Sequence, residues 1–117
     1  MDLSELVRSI LSGDLLAARQ WVADAQRDAL SWELMEMPRH LDSRGLTVAA
    51  ALTEMFAERA GQRPPAWARS IGAEPEMLIL DPGLEAMPRS LAHAKTTGPE
   101  PLLRRNLIAL PDFLKVA

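Results

Sequence analysis

Proline placement limits this chain more than any other feature. Eight of its nine prolines fall between Pro64 and Pro111, and only Pro38 precedes them. Proline has no backbone N–H and clashes with the preceding turn, so it ends or kinks helices and avoids central strands. The chain therefore divides by texture. Residues 1–61 are free to form long elements, whereas residues 62–117 are confined to short ones.

In the front half the apolar spacing is helical. Leu3, Leu6, Val7, Ile10 and Leu11 follow the i, i+3, i+4, i+7, i+8 pattern of one helix face. Ser12-Gly13 breaks that pattern, and Asp14 is placed to cap a second helix with Leu15, Ala18, Val22, Ala25 and Ala29 in one stripe. So short a connection predicts an antiparallel helix pair. Leu30 to Leu41 is predicted as an irregular crossing or a single turn, with Ser31 as a cap and Pro38 as a stop. A third helix is predicted from Asp42 or Ser43 to about Ala60, closed by Gly61. Its apolar arc, which includes Val48, Ala49, Leu52, Phe56 and Ala60, is wide enough for a central helix contacted from two sides.

The back half predicts short pieces. Pro64-Pro65 starts a helical turn carrying Trp67, and Gly72 stops it. Met77 to Leu80 is a short apolar run that periodicity cannot assign to strand or helix. Asp81-Pro82 has the form of a cap followed by proline at the first helical position. Leu84, Met87, Leu91 and Ala94 share a helical face, with Pro88 either kinking it or marking its true start. Pro101 opens a short turn before the segment from Leu107 to Val116. Leu, Ala, Val, Ile and Met must build the core, because aromatics are only 4% of the chain. The predicted fold is all-α: one domain over 1–117, a small bundle of an N-terminal hairpin and a central helix, wrapped by the proline-rich half.

Composition removes several functions. The absence of cysteine excludes disulfides, thiolate metal sites and a thiol nucleophile. The acids Asp2 and Glu5 stand where a secretory leader would be basic, and no apolar run is long enough to span a bilayer, so the expectation is cytoplasmic with no membrane partner. The net charge of −3 comes from ten acids against six bases in residues 1–60 and six against seven thereafter. That distribution offers no clustered basic face for nucleic acid.

Candidate chemistry is sparse. His40 with Asp42 provides two ligand types, but spacing suggests no third, so no metal or other cofactor is expected. Arg89 and His93 lie one helical turn apart and could serve RNA cleavage, with histidine as acid or base and arginine holding phosphate. Their spacing is tighter than the Arg–His pattern of the HEPN ribonucleases, and no second catalytic element accompanies them. Ser12-Gly13-Asp14 and Ser43-Arg44-Gly45 are caps, not nucleophile elbows. Glu54 and Glu58 at i, i+4 read as a solvated face.

Interaction residues are easier to find. Trp32 and Trp67 lie in irregular, proline-flanked segments, and tryptophan and arginine are enriched at binding hot spots. Core packing is nevertheless the commoner fate of tryptophan. Arg104-Arg105-Asn106 contains the only adjacent basic pair, able to meet an acidic partner or a phosphate, or to tie down carbonyls and acids such as Glu100. Trp32, Trp67, Arg104, Arg105 and Asn106 are thus the candidate partner-binding residues.

Four phrases follow one another along the chain: SGDLLAARQWVADAQRDALSW at 12–32, LTVAAALTEMFAERAG at 46–61, PPAWARSIGAEPE at 64–76 and GPEPLLRRNLIALPDFL at 98–114. As a set they resemble a family of small uncharacterised bacterial proteins encoded beside nucleotidyltransferase-type partners in toxin–antitoxin-like pairs. The resemblance covers nearly the whole chain and is most distinctive in the PEP-LLRRN-PDFL ending. It carries no catalytic motif, and it implies a partner or antitoxin-like protein, not an enzyme. The expectation is therefore a non-catalytic module that binds another protein, a basic toxin being one candidate, and homo-oligomerisation is compatible with it. The alternatives are a small ribonuclease using Arg89 and His93, and a DNA-binding regulator. The acidic charge and the long insert between the second and third helices oppose the regulator.

Overall fold

The computed structural model describes residues 2–116. Its elements in order are α1 (Leu3–Leu11), α2 (Leu15–Arg27), α3 (Ser43–Arg59), α4 (Ala66–Arg69), β1 (Leu78–Ile79), a 3-10 turn (Leu84–Ala86), α5 (Pro88–Thr97), α6 (Glu100–Leu103) and β2 (Leu107–Ile108). The molecule is mainly helical, with two very short strands.

Local chemistry explains each boundary in the front half. Asp2 caps α1 by accepting from the Ser4 N–H at 2.9 Å. Leu3, Leu6, Val7 and Ile10 are buried along its face, and full burial of such a side chain stabilises by roughly 1.5–3 kcal/mol. The helix ends in a Schellman motif. Gly13 takes a φ of 80°, its N–H donates to Ile10, and the Asp14 N–H donates back to Ser9 at 2.8 Å. Asp14 then caps α2 through the Ala17 N–H. One three-residue turn closes one helix and opens the next, and α2 packs back against α1.

The same device ends α2 and α3. Leu30 donates to Ala25 and Gln62 donates to Ala57, around Ala29 at φ 50° and Gly61 at φ 67°. Between these helices residues 28–42 form no regular element, as the turn signals predict. Asp42 caps α3 by accepting from the Gly45 N–H at 2.7 Å. Twelve of the seventeen residues of α3 are buried, so it is the central helix that its wide apolar arc requires. It packs on α1, α4 and α6.

Strand pairing is what periodicity alone could not resolve. Leu78 and Ile79 pair in parallel with Leu107 and Ile108, through the Leu78 N–H to Asn106 at 3.0 Å and the Leu80 N–H to Ile108 at 2.9 Å. Parallel strands need a crossover, and the 3-10 turn, α5 and α6 supply it. The pair lies between two apolar clusters. Leu78, Leu80, Leu107 and Ala109 join the main core with α1, α2 and α3. Ile79, Ile108 and Leu110 join a smaller cluster with Leu84, Leu91, Ala94 and Leu103. This alternation is the period of two expected of strands, hidden in sequence because both faces are apolar.

Two local expectations are corrected. Asp81-Pro82 does not begin a helix: Gly83, at φ 89°, precedes only the 3-10 turn, and the true start is Pro88 at the first turn of α5. Glu54 is not on a solvated face. It is buried at 6% exposure, because α3 is covered on nearly every side and α6 brings counter-charges to it.

Candidate interaction site

Two places gather the side chains singled out above. The first is the 28–42 loop. Its backbone is held from beneath: Gln62 Oε1 accepts from the Trp32 N–H at 2.7 Å, and the Trp67 indole N–H donates to the Met35 carbonyl at 2.8 Å. Trp32 is 6% exposed. Its ring stacks on Phe56 at 4.8 Å and 21° and tilts against Trp21 at 6.1 Å. Both tryptophans therefore support the loop from within, Trp32 by filling the core and Trp67, half-buried on α4, by hydrogen bonding.

Two large aliphatic side chains are among those the loop presents outward. Leu34 is 79% exposed and Met37 49%. Between the loop and the start of α1 runs a cleft of about 630 Å³. Its lining combines Leu30, Leu34, Met35 and Met37 with the charged Asp2, Arg8, Glu36 and Arg39. The methionines at 35 and 37 and the leucine between the two acids Glu33 and Glu36 were legible as residues. Their exposure was not, because exposure follows from where the two tryptophans pin the backbone.

The second place is a charged node on α3 and α6. Both carboxylate oxygens of Glu54 meet arginine, Oε2 with Arg104 and Oε1 with Arg105. Arg104 is half-exposed and also reaches Glu100 at 3.6 Å. Arg105 is buried. Its guanidinium donates to the carbonyls of Ala68 at 2.7 Å, Ile71 at 3.3 Å and Pro101 at 3.3 Å. Burial pushes the Arg105 pKa down, against the pull of Glu54, while the hydrogen bond to Glu54 raises that of Arg104. Both remain cationic at neutral pH. Asn106, at φ 65°, turns the chain into β2 and donates from Nδ2 to the Glu74 carbonyl at 3.2 Å. Arg105 and Asn106 thus hold the back half together, and Arg104 is the member of the triplet open to solvent.

Arg89 and His93 are exposed on α5. The His93 carbonyl accepts from the Thr96 and Thr97 hydroxyls. His40 sits on the cleft rim with a φ of 63°. Among the described residues no three His, Cys, Asp or Glu side chains gather as a metal site, and no helix is long and apolar enough to cross a membrane.

No protein-family model, no curated protein and no solved structure matches this chain.

Proposed function

We propose that the chain is a protein-interaction module whose 28–42 loop seats an apolar segment of a partner protein. The observation that carries this reading is the pairing of a fixed backbone with exposed aliphatic side chains. Long irregular loops anchored at several points are more often functional than ornamental. Here the ordering cost is met before any partner arrives. The 79% exposed Leu34 and 49% exposed Met37 flank a cleft with room for a few apolar side chains. Adaptable methionine walls suit such a segment.

The partner is expected to be basic. Glu33 and Glu36 bracket Leu34, and the front half carries an acidic excess, which would steer a basic surface toward the loop. An antitoxin-like role beside a nucleotidyltransferase-type protein, as the resemblance implies, fits this description.

Co-expression with the product of the neighbouring gene tests the proposal. A stable complex should survive size-exclusion chromatography, and Leu34→Asp and Met37→Asp should each weaken it at least about tenfold while the far-ultraviolet spectrum is unchanged. Leu16 on α2 is 81% exposed and lines no part of the cleft, so Leu16→Asp should leave the complex intact. Equal loss in all three variants, no loss in the loop variants, or self-association through Leu34 in place of partner binding would each defeat the reading.

A further inference from the structure

The charged node opens on one side into a depression of about 380 Å³, separate from the loop cleft. We propose that this depression binds a phosphate monoester, with Arg69 and Arg104 reaching the phosphoryl group and Arg105 adding a fixed charge behind them.

Three chain segments build it. Arg69 is the last residue of α4, Arg104 and Arg105 follow α6, and Ile71, Gly72 and Ala73 form the remaining wall above Glu54 of α3. The lining carries three guanidinium groups and one carboxylate. Glu54 spends both oxygens on Arg104 and Arg105, and so cancels one positive charge without reaching the third. Arg69 has no carboxylate partner within salt-bridge distance among the described residues. Counting Glu100, which Arg104 also reaches at 3.6 Å, the site keeps an excess of one positive charge, which favours an anionic phosphoryl group.

Geometry favours phosphate over carboxylate. One planar carboxylate is satisfied by one arginine fork, whereas a tetrahedral phosphoryl group accepts donors from several directions at once. Arg105 is buried and locked by three carbonyls, so it supplies a fixed positive charge behind the site and not a donor to the anion. Arg69 and Arg104 are exposed and provide the way in. At Gly72 the space that a Cβ would fill is open, which lets a ligand approach the backbone. The volume exceeds what a bare ion needs, and Ile71 and Ala73 offer short apolar walls to a small organic group.

The test is calorimetric titration with glycerol phosphate and inorganic phosphate, beside sulfate and acetate at matched ionic strength. Amide resonances of residues 71–73 would be followed by NMR. Saturable binding of the monoester in the millimolar range or tighter is expected, with shifts concentrated at those amides. Arg69→Gln should weaken binding about tenfold. Arg89→Gln, which removes an exposed arginine of α5, should leave it unchanged. Ala73→Asp places a carboxylate in the wall without touching an arginine and should abolish binding, so the result does not depend on one variant. Failure to saturate at about 10 mM, equal affinity in Arg69→Gln, shifts scattered over surface arginines, or an acidic peptide that displaces the monoester would overturn the proposal.

Discussion

At the residue scale, Glu54 and Asp81 show how differently two acids fare in one fold. Glu54 lies under α6 with Arg105 buried against it, and removing one partner of such a pair leaves the other charge uncompensated. Glu54→Gln should therefore lower unfolding stability by about 3 kcal/mol or more, read by urea titration. Arg104→Gln, on the solvent side of the same carboxylate, should cost less than about 1 kcal/mol. If the two losses are equal, Glu54 is not the hub described above. Asp81 lacks such a partner. Burial first, and Asp112 second, raise its pKa above the ordinary carboxylate value, against weaker lowering by the Leu110 backbone and Arg19. A raised acid favours folding while protonated, and the penalty grows as pH rises from the unfolded pKa, near 3.9, through the folded one. Asp81→Asn carries no charge and escapes that penalty. Its thermal midpoint relative to the parent should be higher at pH 7 than at about pH 3, with the gain appearing across the acid range. A difference independent of pH would show that packing, not charge, distinguishes the two.

At the scale of elements, glycine separates space from conformation. Gly98 ends α5 with φ −59°, a value any residue adopts, yet a Cβ there would lie 2.6 Å from the Ala109 carbonyl and 2.7 Å from that of Ala94. Both obstacles are backbone, so α5 could not stay against the β2 segment. Gly98→Ala should destabilise by about 1–3 kcal/mol, whereas Gly72→Ala, with nothing within 4 Å, should be close to neutral. Chemical denaturation of both checks the contrast. Elements also show what sequence made legible. The stripe of α1 and the caps Asp14 and Asp42 lie within a few residues of the groups they serve, so local spacing exposes them. Strand pairing is different. Leu78 meets Leu107 across a crossover, and nothing near either residue announces the other. The partners of Glu54 lie about fifty residues away, and an acid at helical spacing reads as solvated. One usable signal was present: an apolar arc as wide as that of α3 leaves little room for Glu54 on the outside.

At the scale of the whole molecule, the two halves share one core although their textures differ. The long helices place Leu6, Val22, Leu52 and Phe56 in the main cluster, and the proline-rich half contributes Leu80, Leu102, Leu107 and Phe113 to the same cluster. Prolines limit the length of the later elements without excluding them from the core, since each short piece offers only one or two side chains to it. Arg59 closes the arrangement from the far end of α3 by donating to the carbonyls of Phe113 at 2.7 Å and Pro111 at 3.2 Å. The helix hairpin and α3 therefore cannot be finished without the back half. A fragment of residues 1–61 would leave the α6-facing side of α3 in water, including the buried Met55, which lies beside Pro101 of α6. Each such side chain forfeits roughly 1.5–3 kcal/mol of burial, and losing several is comparable with the 5–15 kcal/mol by which small domains are usually stable. The fragment should keep helical far-ultraviolet signal, lose the near-ultraviolet signal of Trp21 and Trp32, and bind a hydrophobic dye. Adding residues 62–117 in trans should restore the near-ultraviolet signal, because those residues carry the missing half of the core. A fragment that unfolds cooperatively with a fixed tryptophan environment would instead show that the front half is complete by itself, with the proline-rich half merely attached.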